Sequence, residues 1–289
     1  MDGVGAWRDA AGADDEQPED PRSARPARRA RRGVVGRGLN VSRGGPQQIP
    51  RPEIWTPGRP APWSQLDPQS RLILPDRVRS VYPRDRLGLA APVAADGAEP
   101  SAVLVPLYDL DGELHVVLTR RSWNLRTHRG EVSFPGGRAD PGEDHVTTAL
   151  REANEEIALD PALVEPLGEL DHLTTISRRA YIVPVVAMVS RVPELRPNDA
   201  EVDRVLHVPL SELTADGVFR EERWGEGPTS RPIYFFDLDG DTVWGATAAM
   251  LRQLLARLTG TDPGTPIDMD PARDIPPGFL LPGETDRVV

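Results

Sequence analysis

One stretch constrains the fold of this chain more than any other. From Asp144 to Ala158 the spacing predicts an amphipathic helix, with Asp144 suited to its N-cap. Val146, Ala149, Leu150, Ala153 and Ile157 recur at helical intervals and form one apolar stripe, which needs a packed surface to bury against. At ~100° per residue, Glu152, Glu155 and Glu156 fall on the side away from that stripe. Three carboxylates at i, i+3 and i+4 repel one another. They are tolerated either as a solvated face balanced by Arg151 or as oxygen ligands around a hard cation such as Mg²⁺ or Mn²⁺. A Gly136-Gly137 turn precedes the helix and lets backbone approach a ligand closely. Glu143 stands before the helix, within reach of Arg151 across the loop, and a pair between them would hold the turn against the helix.

The surrounding sequence supplies the surface that the stripe requires. Ser101–Tyr108 and Leu114–Thr119 flank Asp109-Leu-Asp-Gly-Glu113, a hairpin pattern with Asp-Gly at its turn. Further strand-like runs lie at 131–134, 167–175, 181–190, 204–209 and 232–237, and a last helix is expected from Ala246 to Leu258. Strands interspersed with helices predict an α+β domain, a mixed sheet packed between helices, over residues 61–260. Residues 1–60 carry acidic and then arginine-rich blocks with scattered Pro and Gly, and are expected to be a disordered tail; 261–289, rich in proline, is read the same way.

Composition excludes several chemistries. The chain has no cysteine, so disulfides, thiolate nucleophiles and Cys-ligated metals are ruled out. All 34 basic residues are arginine, which removes lysine Schiff bases and the phosphate-loop lysine. The longest apolar run, Tyr181–Val189, is too short and Pro-broken to span a bilayer, and the N-terminus lacks an apolar signal core. A cytoplasmic protein with no membrane partner is expected. The arginine block at 22–32 suits either a contact with nucleic acid or acidic lipid or a solvated tail; the solvated tail is the expectation, without nucleic acid as partner.

The segment from Gly137 to Leu159 resembles the Nudix hydrolase box: a Gly, five residues, a Glu, seven residues, then Arg-Glu-apolar-x-Glu-Glu-x-Gly-apolar. Gly137, Glu143, Arg151, Glu152, Ala153, Glu155, Glu156 and Leu159 match it, and Ala158 stands where the family has glycine. That glycine closes the helix in a left-handed conformation, so alanine there bears on stability rather than on ligands. Leu118, Thr119, Arg121, Ser122, Arg126, Gly130 and Phe134–Gly137 are similar to the signature of the coenzyme A pyrophosphatase branch, as is Val243–Ala248.

The resemblance implies a Nudix-type α/β/α sandwich and Mg²⁺- or Mn²⁺-dependent hydrolysis of a diphosphate. The small-molecule substrate would be coenzyme A or acyl-coenzyme A, cleaved to 3′,5′-ADP and a phosphopantetheine. It implies Glu152, Glu155 and Glu156 as metal ligands, with Glu152 and Glu155 also catalytic, and Glu143 and Arg151 as structural members. Glu201, on a loop before a strand-like run, is a candidate general base; a solvated loop acid is the alternative. Arg120, Arg121 and Arg126, with the Gly136 and Gly137 backbone, are the expected substrate contacts, since arginine's planar fork suits phosphate. His128 suits a local hydrogen bond, and Trp123 and Trp244 suit either an adenine or the core. The competing functions are hydrolysis of ADP-ribose, NADH or another nucleoside diphosphate derivative, and a catalytically silent sensor.

Overall fold

The computed structural model describes residues 43–83, 87–90, 98–175, 180–227 and 230–264. Met1–Asn40 forms one unit of the chain and lies outside the described residues; Val41–Val289 forms the other. Of the tails expected at 1–60 and 261–289, residues 1–42 and 265–289 lie outside the described residues.

A short strand β1 (Trp55–Pro57) and helix α1 (Pro75–Val81) precede the long hairpin β2 (Glu99–Leu110) and β3 (Glu113–Arg121). The hairpin turns on Asp111 and Gly112, both at positive φ (54° and 88°), the two-residue turn that matches strand twist. Two short strands, β4 (Val132–Ser133) and β5 (Gly136–Arg138), lead into α2 (His145–Ile157). The chain continues through β6 (Val164–Glu169), β7 (Leu173–Thr174), β8 (Ala180–Val189), β9 (Val202–Pro209) and α3 (Leu210–Thr214). It ends in β10 (Phe219–Trp224), β11 (Arg231–Asp237), β12 (Thr242–Trp244) and α4 (Gly245–Thr259).

Eight of the strands form one mixed sheet. Its path runs β4-β3-β2-β8-β6, with β5 on β2, β7 on β8 and β9 on β3. The β2–β8 pair is parallel, and the others are antiparallel. Because side chains alternate across a strand, Ala102 and Leu104 of β2 meet Ala149, Ala153 and Ile157 of α2 on one face. Val105 and Leu107 join the opposite core, which contains Val78 of α1 and Leu251, Leu254 and Leu255 of α4. Helices therefore cover both faces, as the α+β sandwich expectation required.

Two features depart from the sequence reading. The strands β1, β10, β11 and β12 make a second, four-stranded antiparallel sheet, where only the run at 232–237 had been expected. The boundary of the N-terminal tail also moves. Within the stretch read as disordered, Trp55–Pro57 pairs with Trp224–Glu222, Gly44 N–H donates to Leu238 O, and Ile49 packs beside Trp224 and Phe235. The second sheet's edge and its apolar face compensate the ordering entropy that this segment could not offset alone.

Candidate active site

The loop before α2 is fastened by Glu143 and Arg151. Glu143 Oε1 accepts from Arg151 Nε at 2.8 Å, and its Oε2 accepts from Arg151 Nη2 at 3.0 Å, from the Thr148 hydroxyl and from Asp140 N–H. The Arg151 fork holds the Glu143 carboxyl well below the usual range, at about 2. Arg151 also donates to Arg138 O, Glu152 Oε1 (2.9 Å) and Glu155 Oε2 (3.1 Å). One guanidinium thus ties the loop, β5 and two glutamates together. Asp144 caps α2 as expected, accepting from Thr147 N–H at 2.7 Å.

The three glutamates do not share one solvated face. Glu155 is 57% exposed, Glu152 only 15%, and Glu156 is buried. The helix wheel accounts for part of this: Glu156 stands ~80° from the stripe centre and Glu155 ~180°. Strand β5 accounts for the rest. Gly137 lies so close to α2 that a β-carbon there would sit 2.6 Å from the Glu152 carboxylate, and Gly136 N–H donates to Glu156 Oε2 at 3.3 Å. Burial raises the pKa of Glu152 and pushes that of Glu156 up to about 7, against the pull of Arg121 and the Gly136 N–H.

Glu201 is brought to the same place by backbone bonds. Asn198 N–H donates to Glu156 O at the end of α2, and Glu201 N–H donates to Asn198 O. The Glu201 charge is near enough to both Glu152 and Glu156 to raise their pKa values. This donor set fits a hard divalent cation: two carboxylates whose negative charge burial leaves poorly solvated, with a third acid beside them. The fit is incomplete at Glu155, whose carboxylate is bonded to Arg151, and among the described residues no three acids or histidines are gathered as a closed metal cage.

The arginines separate into two kinds. Arg120 is committed to the protein itself, paired with Asp203 at 2.7 Å and with the fully buried Asp241 at 3.0 Å. These pairs compete with the substrate contact that the resemblance implies for Arg120, since a buried aspartate needs a neutralising charge. Asp203 and Asp241 carry no sequence signal that would have exposed the competition. Arg121 remains suited to a ligand: its Nε is buried with no hydrogen-bond partner, and its charge lies by Glu156. Arg126 is exposed on the loop between β3 and β4. His128 bonds to Glu131 at 3.1 Å. Trp244 packs by Trp224, and the Trp123 ring lies over Gly130.

The NUDIX domain family matches residues 98–227, which span β2 to β10 and include Glu152, Glu155, Glu156 and Glu201 with Arg151 and Arg121. Nudix hydrolase 3 of Caenorhabditis elegans is 46% identical over 183 residues, covering 57% of this chain and 75% of the relative. The chain belongs to the Nudix hydrolase family. A second Nudix relative, the uncharacterized Nudix hydrolase NudL of Photorhabdus laumondii, is 36% identical over 55% of this chain and 85% of its own. Nudix hydrolase 22, chloroplastic, of Arabidopsis thaliana is 39% identical over 52% of each chain, so the match spans about half of that relative's length. No described helix is long and apolar enough to cross a membrane.

Proposed function

We propose that this Nudix chain is a metal-dependent pyrophosphohydrolase that cleaves the diphosphate of coenzyme A or acyl-coenzyme A, releasing 3′,5′-ADP and a phosphopantetheine. One observation carries the hydrolase reading: the buried Glu156 and half-buried Glu152 lie against the Gly136-Gly137 backbone, with Glu201 beside them. A bound Mg²⁺ or Mn²⁺ would neutralise these carboxylates and the scissile diphosphate and lower the pKa of an attacking water. Glu152 and Glu156 would hold the ion, with Glu155 as a further ligand were its bond to Arg151 exchanged for the metal. Glu201 accepts the proton of the attacking water as general base. Arg121, with its orphaned Nε, takes a phosphate oxygen of the substrate.

The choice of coenzyme A rests on the residues around that arginine. Leu118-Thr119-Arg120-Arg121 ends β3 with the Arg121 charge by Glu156, and the loop that follows presents Arg126 and Arg129 to solvent. A substrate with a phosphate outside its diphosphate, as coenzyme A has at the 3′ position, suits this outer cationic rim better than ADP-ribose or NADH does. The test is incubation with coenzyme A, ADP-ribose and NADH, each with Mg²⁺ or Mn²⁺, with products identified by mass spectrometry. Preferred release of 3′,5′-ADP supports the reading, and preferential turnover of ADP-ribose or NADH overturns the substrate while keeping the hydrolase. Glu152→Gln is expected to abolish turnover and keep the fold; wild-type rates in that variant would sink the metal assignment.

A further inference from the structure

Gln47 takes no part in the chemistry above, yet it is 8% exposed and its amide is fully engaged. Nε2 donates to Asp241 Oδ1 at 2.7 Å and to Gly130 O at 3.1 Å, while Oε1 accepts from Thr242 N–H at 2.8 Å. The partners belong to different parts of the molecule. Asp241 and Thr242 lie at the start of β12 in the second sheet, and Asp241 also holds Arg120, the neighbour of Arg121 on β3. Gly130 closes the loop 122–130 that carries Arg126 and Arg129.

The two ends of that loop are fastened differently. At its opening, Ser122 N–H donates to the carbonyl of Glu201 at 2.8 Å. At its close, Gly130 stands at φ +71° with the Trp123 ring 2.3 Å from where a β-carbon would be, and its carbonyl is received by Gln47. The opening is thus tied to the main sheet beside the glutamates; the close is tied to the end of β3, where Gly130 N–H donates to Arg121 O at 3.1 Å, and through Gln47 to the second sheet as well.

We propose that Gln47 is a positioning residue for substrate binding: its amide locks the close of the arginine-bearing loop against the second sheet, so that the substrate's outer phosphate meets a preformed cationic rim. The position requires two donors and one acceptor on one planar group. A carboxylate would face Asp241 and Gly130 O with acceptors only, and an ammonium would leave Thr242 N–H without an acceptor. Ordering the loop before the substrate arrives removes that entropy cost from binding. The inference rests on the proposed role of this loop as a phosphate-binding rim.

The test uses the full chain with Gln47→Met, which keeps the size and removes the bonds, and Gln47→Glu, which keeps only the acceptor for Thr242. Arg51→Ala is the control, because Arg51 ties the same segment to Glu222 and stacks on Trp55 without touching the loop. Coenzyme A kinetics with Mg²⁺ and hydrogen exchange of amides 122–131 are measured together. Gln47→Met is expected to raise KM about tenfold with kcat changed less than about twofold and with faster loop exchange. Gln47→Glu should raise KM at least as much, and Arg51→Ala should match wild type in both readouts. Wild-type KM or wild-type loop exchange in both Gln47 variants overturns the inference, as does an equal KM rise in Arg51→Ala. If the wild-type chain turns over neither coenzyme A nor ADP-ribose, the proposed function fails separately. The exchange comparison then decides alone: a faster loop in the Gln47 variants supports the positioning, and an unchanged loop overturns it.

Discussion

At the scale of single residues, Ala158 shows how a departure from a motif is absorbed. It closes α2 at φ 55° and ψ 30°, and the flanking bonds, Ala158 N–H to Asn154 O and Leu159 N–H to Ala153 O, form a left-handed helix cap. A β-carbon in that conformation costs about 1 kcal/mol. Ala158→Gly removes the strain but loosens the unfolded chain, so a net gain of about 0.5 kcal/mol is expected. Thermal unfolding should then show a Tm rise of about 1–2 °C, and a lower Tm would show that the position carries no strain. Glu156 gives a second outcome at this scale. Its folded pKa of about 7 lies above the ordinary carboxylate value of 4.5, so between those values the folded state binds more protons than the unfolded state. Metal-free protein should therefore lose stability as pH rises from about 4.5 to about 7 and level off above that, an effect on the order of 3 kcal/mol. In urea unfolding, Glu156→Gln should flatten that slope, and Mg²⁺ should restore stability at high pH in the wild type but not in the variant.

At the scale of elements, the site depends on how closely β5 approaches α2. Gly137→Ala would place a methyl group 2.6 Å from the Glu152 carboxylate, within an element fixed by its pairing to β2. The glutamate must swing away, and a loss on the order of a hundredfold in kcat is expected with near-normal unfolding; a variant within a few-fold of wild type would show that Glu152 has room to adjust. Arg151 makes a matching case, because its fork reaches Glu143, Glu152, Glu155 and Arg138 O at once. Arg151→Lys cannot reproduce that geometry, so it should behave like Arg151→Ala in activity assays rather than rescue it. Much of this element was legible in the sequence. The Asp144 cap, the apolar stripe and the Glu143–Arg151 pair follow from spacing along one segment. The burial of Glu156 was legible only in part: the helix wheel sets it ~80° from the stripe centre, and the rest depends on β5 being laid over the helix by pairing with β2. The capture of Arg120 was not legible, because it needs Asp203 and Asp241 brought from distant positions.

At the scale of the whole molecule, two sheets act on one site. The main sheet supplies β5, α2 and the Glu201 loop; the second sheet reaches the site through Asp241, which holds Arg120 and Gln47 together. The short strands β1 and β12 have too few residues for a periodicity to show, and the Pro- and Gly-rich composition around β1 reads as a tail. Their order comes from their pairing partners, Trp224–Glu222 far along the chain for β1 and the adjacent strand Phe235–Asp237 for β12. That origin makes the segment 43–60 part of the folded unit, with a measurable consequence. Removing residues 1–60 strips the second sheet of an edge strand, exposes the cluster of Trp224, Ile233 and Phe235, and takes Gln47 from buried Asp241. Losing bonds to a buried carboxylate costs about 1–3 kcal/mol, before any loss of apolar burial. The truncated chain should therefore unfold at lower urea concentration than the full chain, and its KM for the substrate should rise, as in the Gln47 variants. A disordered tail over the whole of 1–60 predicts the opposite, unfolding and kinetics indistinguishable from the intact chain, so a single comparison of the two proteins separates the alternatives.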